Sequence, residues 1–230
     1  MPSRALCSAL FGALTLWLLA ARPDARSAEA GFRPGADAVA LREFLEGTRG
    51  HREAWQTTPE LIVLRSVMEY GSADITSGYV ARAERLTDDE IGRLISDLTH
   101  ALAELTDGKL ATFSAVRVEL VPAGQRVKVF RPGQVVAGRF RGVQAKTGSL
   151  GYSGRMTRGA TITAAAVILD RDFDHNSDRR RLLRTHELGH ALGYNHVESC
   201  PSFMNPRIGS GITGFDRGAI KLASTHFGSQ

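Results

Sequence analysis

The chain reads as a single α/β domain, and three features of its 230 residues predict that class. A capping pattern, Thr87-Asp88-Asp89-Glu90, opens a run in which Ile91, Leu94, Ile95, Leu98, Leu102 and Leu105 share one helical face. Phe113 to Val121, Val135 to Phe140 and Ala160 to Asp170 have the apolar or alternating pattern of strands. A further helix is indicated from His186 to Gly193. With 43% hydrophobic residues, a chain of this length can bury one sizeable core. No repeat is visible. The formal charge of +5 is mild and no aromatic-interleaved basic patch accompanies it, which argues against a nucleic-acid partner.

Residues 1–30 read as a secretory signal peptide. Arg4 supplies the positive start, Ala5 to Ala21 carries no charge, and Ala28 and Ala30, or Ala25 and Ser27, offer cleavage sites. The uncharged run also reaches the lower limit of a spanning helix, so an uncleaved N-terminal anchor is the rival. Pro23 and the small residues that follow favour cleavage. Cys7 precedes the apolar run and leaves with the leader. Cys200 is then the one cysteine of the mature chain, and no internal disulfide can form.

Within residues 31–56, Ala36 to Glu46 places Val39, Leu41, Phe44 and Leu45 at rough helical spacing before Gly47. The pattern suits a short pro-segment or an N-terminal helix packed on the domain. The domain proper is expected over residues 57–230. Thr58-Pro59-Glu60 can start a helix, while the run Leu61 to Leu64 suits a buried strand, and a polar stretch from Gly71 to Leu86 precedes the capped helix. His100 in that helix has no partner at ligand spacing and reads as structural. Pro122-Ala123-Gly124 turns the Phe113 to Val121 run into Arg126 to Phe130, as a hairpin or as adjacent strands. Gly142 to Gly159 is glycine-rich without a clear period.

Asp170, Asp172, Asp174 and Asp178 alternate after the Ala160 to Asp170 strand and invite a calcium reading. An EF-hand loop needs a glycine at its sixth position and a glutamate at its twelfth, and both are missing. An exposed connection whose Asn176, Ser177 or Asp178 caps the next helix fits better. Arg179, Arg180, Arg181 and Arg184 read mainly as a solvated face of that helix balanced by those aspartates, with substrate contact as the lesser alternative. Cys200, in the loop between His196 and Met204, reads as a small loop residue. Arg207 to Gly214 is a glycine-containing loop, and Phe215 to Phe227 a terminal helix with Ile220 and Leu222 inward.

The residues that carry chemistry are His186, Glu187, His190 and His196. In a helix His186 and His190 lie one turn apart on one face, so two imidazoles can reach one metal ion. Glu187 points about 100° away, outside the metal's shell yet near enough to take a proton from a water beside it. Gly193 can adopt the left-handed turn that His196 needs to swing back as a third ligand. Three neutral imidazoles leave one tetrahedral position of zinc open, which distinguishes a catalytic from a closed structural site.

His186-Glu187-Leu188-Gly189-His190-Ala191-Leu192-Gly193-Tyr194-Asn195-His196 fits the pattern His-Glu-x-x-His-x-x-Gly-x-x-His, and Met204 follows in Ser202-Phe203-Met204-Asn205-Pro206. In these residues the chain resembles the metzincins, a superfamily of zinc endopeptidases. The Met-x-Pro wording and the distance from His196 to Met204 are most similar to the matrixin branch. Val197 stands where better-known branches carry an acidic residue, serine or proline, so no named subfamily follows. Pro206 stands where astacins and serralysins have an extra tyrosine near the metal.

The resemblance implies a twisted mixed β-sheet, a long active-site helix and a small C-terminal subdomain starting near Gly193, with the cleft between the two parts. It implies one catalytic Zn2+ held by His186, His190 and His196, with Glu187 as general base and Met204 as an apolar floor. Pro206, Arg207 and Ile208 are implied to line the pocket for the side chain that follows the scissile bond. An edge strand from around Gly142 to Gly159 is implied to pair with an extended substrate. Matrixin zymogens are kept latent by a propeptide cysteine, and none lies here between leader and motif.

The expected function is secreted, extracellular or periplasmic, zinc-dependent hydrolysis of a protein or peptide substrate, without stable membrane association once the leader is cleaved. A secreted zinc-stabilised peptide-binding protein without turnover is the alternative. Intact Glu187 argues against it, because holding a peptide requires no general base. A membrane-anchored peptidase is distinguished by whether Ala5 to Ala21 stays attached.

Overall fold

The structure, a computed structural model, describes residues 33, 35–71, 78–176, 179–207 and 211–225. The expected signal peptide, residues 1–30, lies outside the described residues, as do Ser177, Asp178 and Ile208. In chain order the elements are α1 (Ala38–Glu46), a 3-10 turn (Gly47–Arg49), β1 (Glu60–Leu64), β2 (Ser66–Glu69), β3 (Tyr79–Arg85) and α2 (Asp88–Leu105). They continue with β4 (Val116–Glu119), β5 (Arg126–Val127), β6 (Gln134–Arg141), α3 (Val143–Thr147), β7 (Gly151–Arg158) and β8 (Thr161–Asp170). The last three are α4 (Arg171–Asn176), α5 (Arg180–Leu192) and α6 (Gly214–Ser224).

The strands form one mixed sheet, so the chain is α/β. β6 is central, with β1 and then β2 parallel along one side and β8 parallel along the other. β4 pairs parallel with β1, while β3 and β5 follow β2 in antiparallel steps. β7 runs antiparallel to β8 and, among the described residues, pairs with no other strand. The unalternating run Leu61-Ile62-Val63-Leu64 follows from burial on both faces. Leu61 and Val63 pack into the core shared with α2 and α5, while Ile62 and Leu64 pack on the opposite face with Met68, Tyr79 and Phe140.

The capping box of α2 is formed: Thr87 Oγ1 accepts from Glu90 N, and Thr87 N donates to Glu90 Oε2 at 2.9 Å. Ile91, Leu94, Leu98, Leu102 and Leu105 are buried. α1 packs on the domain, with Phe44 stacked on Tyr194 at 4.4 Å between ring centroids and edge-on to Phe203 and Phe215. No helix among the described residues is long and apolar enough to cross a membrane.

Several expectations need correction. The polar stretch from Gly71 to Leu86 contains β3, whose charged wording reflects a strand exposed over most of its second half. β5 pairs with β3, so the turn at Pro122-Ala123-Gly124 joins no hairpin with β4. Leu222 is exposed, because Ala219, Ile220 and Ala223 occupy the inward face of α6.

The largest correction concerns the connection before α5. It is helical (α4), and Asp174 within it is fully buried rather than exposed. Arg184, expected on a solvated face, is fully buried as well. Its Nε and Nη2 donate to Asp174 at 2.7 Å each, and its Nη1 donates to Asp97 at 2.7 Å. Arg139 on β6 donates to Asp174 at 2.5 Å and to Glu90 at 2.7 Å. The residue at the start of α5 is Arg179, which makes no side-chain cap. The buried ion network thus anchors the first turns of α5 to α2, α4 and β6, and each buried charge in it faces an opposite one.

Candidate metal centre

α5 forms because Leu183, Leu188, Ala191 and Leu192 give it an inward face. It ends at Gly193, whose φ is +109° and whose N–H bonds back to the helix carbonyls. A Cβ at this position would come within 2.2 Å of the Glu53 carbonyl oxygen, so glycine is required by conformation and by space. Beyond the turn, Tyr194 Oη donates to Leu105 O at 2.5 Å and Val197 N donates to Met204 O at 3.0 Å. Val197 is fully buried, which accounts for an apolar residue directly after the third histidine.

These turns bring His186, His190 and His196 together, with one ligand nitrogen from each lying within 4.8 Å of the others. Phe203 O and Tyr194 O lie 2.8 and 2.9 Å from Nδ1 of His186 and His190, which assigns the N–H to Nδ1 and leaves Nε2 a free lone pair. His190 Nε2 and His196 Nε2 are 3.1 Å apart. Two zinc–nitrogen bonds of about 2.05 Å at a tetrahedral angle span about 3.3 Å. Burial lowers the pKa of all three imidazoles, most strongly for His190, where the other two rings add to it. The cluster therefore offers neutral ligands at pH 7.

Met204 is fully buried, and a Cβ at Gly189 would meet its sulfur at 2.7 Å, so the thioether packs against α5 at Gly189. Ser202, Phe203 and Thr213 all donate to Asp216, at 2.5, 3.0 and 2.8 Å, and this fixes the carbonyl on which His186 rests. Cys200 is a free thiol outside the ligand cluster, its pKa pushed up to about 11 by burial and nearby carboxylates.

Glu187 is buried and its Oε2 has no hydrogen-bond partner. Burial pushes its pKa up to about 8, and Ser153 offsets this only weakly, since its own hydroxyl makes no well-formed hydrogen bond. Glu187 lines a cavity of about 500 Å3 together with the three histidines. A buried carboxylate without a cation and three convergent lone pairs fit a dication, which would compensate both. Leu150, Phe173, Leu183, Pro206 and Arg207 line the same cavity, so two of the three expected pocket residues are at the site; Ile208 lies outside the described residues. β7 borders it through Gly151, Tyr152 and Ser153, where a Cβ on Gly151 would meet Glu187 at 2.6 Å.

Sequence reasoning missed Ser153, Arg155, Glu53 and Asp216. Asp216 was findable, because Thr213-Gly214-Phe215-Asp216 is a capping box and forms as one. The others carry no local signal, since their partners are distant in the chain. No protein-family model matches the chain, and no curated protein matches it in sequence. Three histidines close enough to bind one metal ion are therefore the firm content of this centre.

Proposed function

We propose that the protein is a zinc-dependent endopeptidase with a metzincin-like, matrixin-type centre. The observation that carries this reading is Glu187: buried, with one oxygen unpartnered, in the same cavity as three imidazoles whose free nitrogens converge. Zinc held by His186, His190 and His196 would act as a Lewis acid on the scissile carbonyl and lower the pKa of water. Phe203 O and Tyr194 O orient two of the rings, and Met204, packed against Gly189 of the same helix, would serve as their apolar floor. Glu187 accepts a proton from the attacking water and delivers it to the leaving amine nitrogen. The outer edge of β7 offers backbone groups to an extended peptide. Secretion of the chain belongs to the same reading and rests on residues 1–30.

The test is cleavage of an unfolded protein substrate by the zinc-loaded chain, beside Glu187→Ala and a chelator-treated sample. Hydrolysis lost in both controls is expected. Undiminished hydrolysis by Glu187→Ala removes the base from the mechanism, and an inert zinc-loaded chain favours a peptide-binding protein.

A further inference from the structure

We propose that Arg155 is a positioning residue for the histidine cluster, holding the third ligand's turn in place through its backbone and through Asn195. His186 and His190 are fixed twice, by the helix and by a carbonyl at Nδ1. His196 lies beyond the helix and, among the described residues, its ring makes no hydrogen bond to a carbonyl. Its position therefore depends on the chain around it.

Arg155, on β7, reaches that chain. Its Nη1 donates to His190 O at 3.1 Å, its Nη2 to Asn195 Oδ1 at 2.8 Å, and its Nε to Glu53 Oε2 at 2.5 Å. One guanidinium thus joins the last turn of α5, the residue next to His196 and the N-terminal segment. Its side chain is only 10% exposed and that of Glu53 is 1% exposed, so these bonds are largely screened from water. Glu53 is further paired with Arg49, and the two arginines outweigh burial to hold its pKa below the usual carboxylate value. Asn195 is pinned from the other side, its N–H donating to Phe44 O at 2.9 Å. The planar fork of an arginine can serve three acceptors at once, which a lysine ammonium cannot do over the same span. A cation at the C-terminal end of α5 also suits the helix dipole.

The inference rests on the three histidines binding a metal and is independent of peptide hydrolysis. Arg155→Lys and Asn195→Ala are compared with wild type by zinc affinity, by the visible spectrum of the cobalt-loaded protein, and by melting of the metal-free protein. Ser66→Ala serves as a stability control, because it removes the two buried hydrogen bonds that Ser66, at the start of β2, makes with Val121. Arg155→Lys keeps a charge opposite Glu53, so its melting should stay near wild type while zinc Kd rises roughly 10-fold or more and the cobalt bands change. Asn195→Ala should act alike, and the double variant should lose less than the product of the two. Ser66→Ala should melt earlier with zinc Kd unchanged. Wild-type zinc affinity and cobalt spectrum in both Arg155→Lys and Asn195→Ala would overturn the proposal, as would losses no larger than stability alone produces in Ser66→Ala. A wild-type chain that binds no zinc would overturn it together with the reading of the metal centre, whereas a failure confined to the variants leaves that reading standing.

Discussion

Arg184 and Glu187 stand three residues apart on α5, both buried, in opposite surroundings. Arg184 is met by Asp174 and Asp97, and Asp174 also meets Arg139, which in turn meets Glu90. Among the described residues, Glu187 meets no cation and its Oε2 has no hydrogen-bond partner. The carboxylates of the two regions titrate in opposite directions. Burial alone would raise Glu90, but the Thr87 amide, His175, Arg171 and Arg139 bring its pKa down to about 2. Burial pushes Glu187 up to about 8. Arg184 is held where buried charges are matched, whereas Glu187 faces the cavity that the three histidines line.

Breaking the matched set should have the largest effect. Asp174→Ala removes the carboxylate that Arg139 and Arg184 share, leaving two buried arginines with only Glu90 and Asp97 to face them, and a loss of about 3–5 kcal/mol in unfolding free energy is expected by urea titration. A loss under about 1 kcal/mol would mean that water or other groups replace the carboxylate. On the unmatched side, His196→Ala should weaken zinc binding by at least about 100-fold, the upper range for loss of a mere supporting contact, while metal-free stability changes little. Competition with a chromophoric chelator measures the first and thermal melting the second.

The two glutamates predict opposite pH slopes for the metal-free protein. Glu90 has a lowered pKa, so its contribution is complete above its ordinary value of 4.5 and is lost as pH falls towards about 2. Glu187 has a raised pKa, so its folded form is favoured below 4.5 and stability falls as pH rises towards about 8. Urea midpoints against pH should therefore lose their acid limb in Glu90→Gln and their alkaline decline in Glu187→Gln. The smallest effect follows from the same sign: at pH 7, Glu187→Gln should leave the metal-free protein about 1 kcal/mol more stable. A destabilised Glu187→Gln would show that the carboxylate has a cation partner after all.

Much of the centre was legible because its rules are local. The spacing of His186 and His190 follows from the helical period, and Gly193 follows from the left-handed turn that ends the helix. The capped α2 and the buried β8 were legible for the same reason, whereas β1 was open between helix and strand because Thr58-Pro59 can also start a helix. β3 was not, because its charged residues match those of a loop until its hydrogen-bonded neighbours are known. Among the four arginines from Arg179 to Arg184, nothing local marks Arg184 as buried.

The sequence by itself determined which side chains can form the cluster, where the helix bearing two of them stops, and which glutamate lies beside it; Met204 came from the resemblance alone. Only the tertiary structure decided that Asp174 and Arg184 are interior, that Arg155 and Glu53 reach the third histidine's turn, and that one oxygen of Glu187 is buried without a hydrogen-bond partner among the described residues. The first group obeys backbone geometry over a few residues. The second depends on charges brought together from positions as distant as Glu90 and Asp174, or Glu53 and Arg155, and no short stretch of chain records such a meeting.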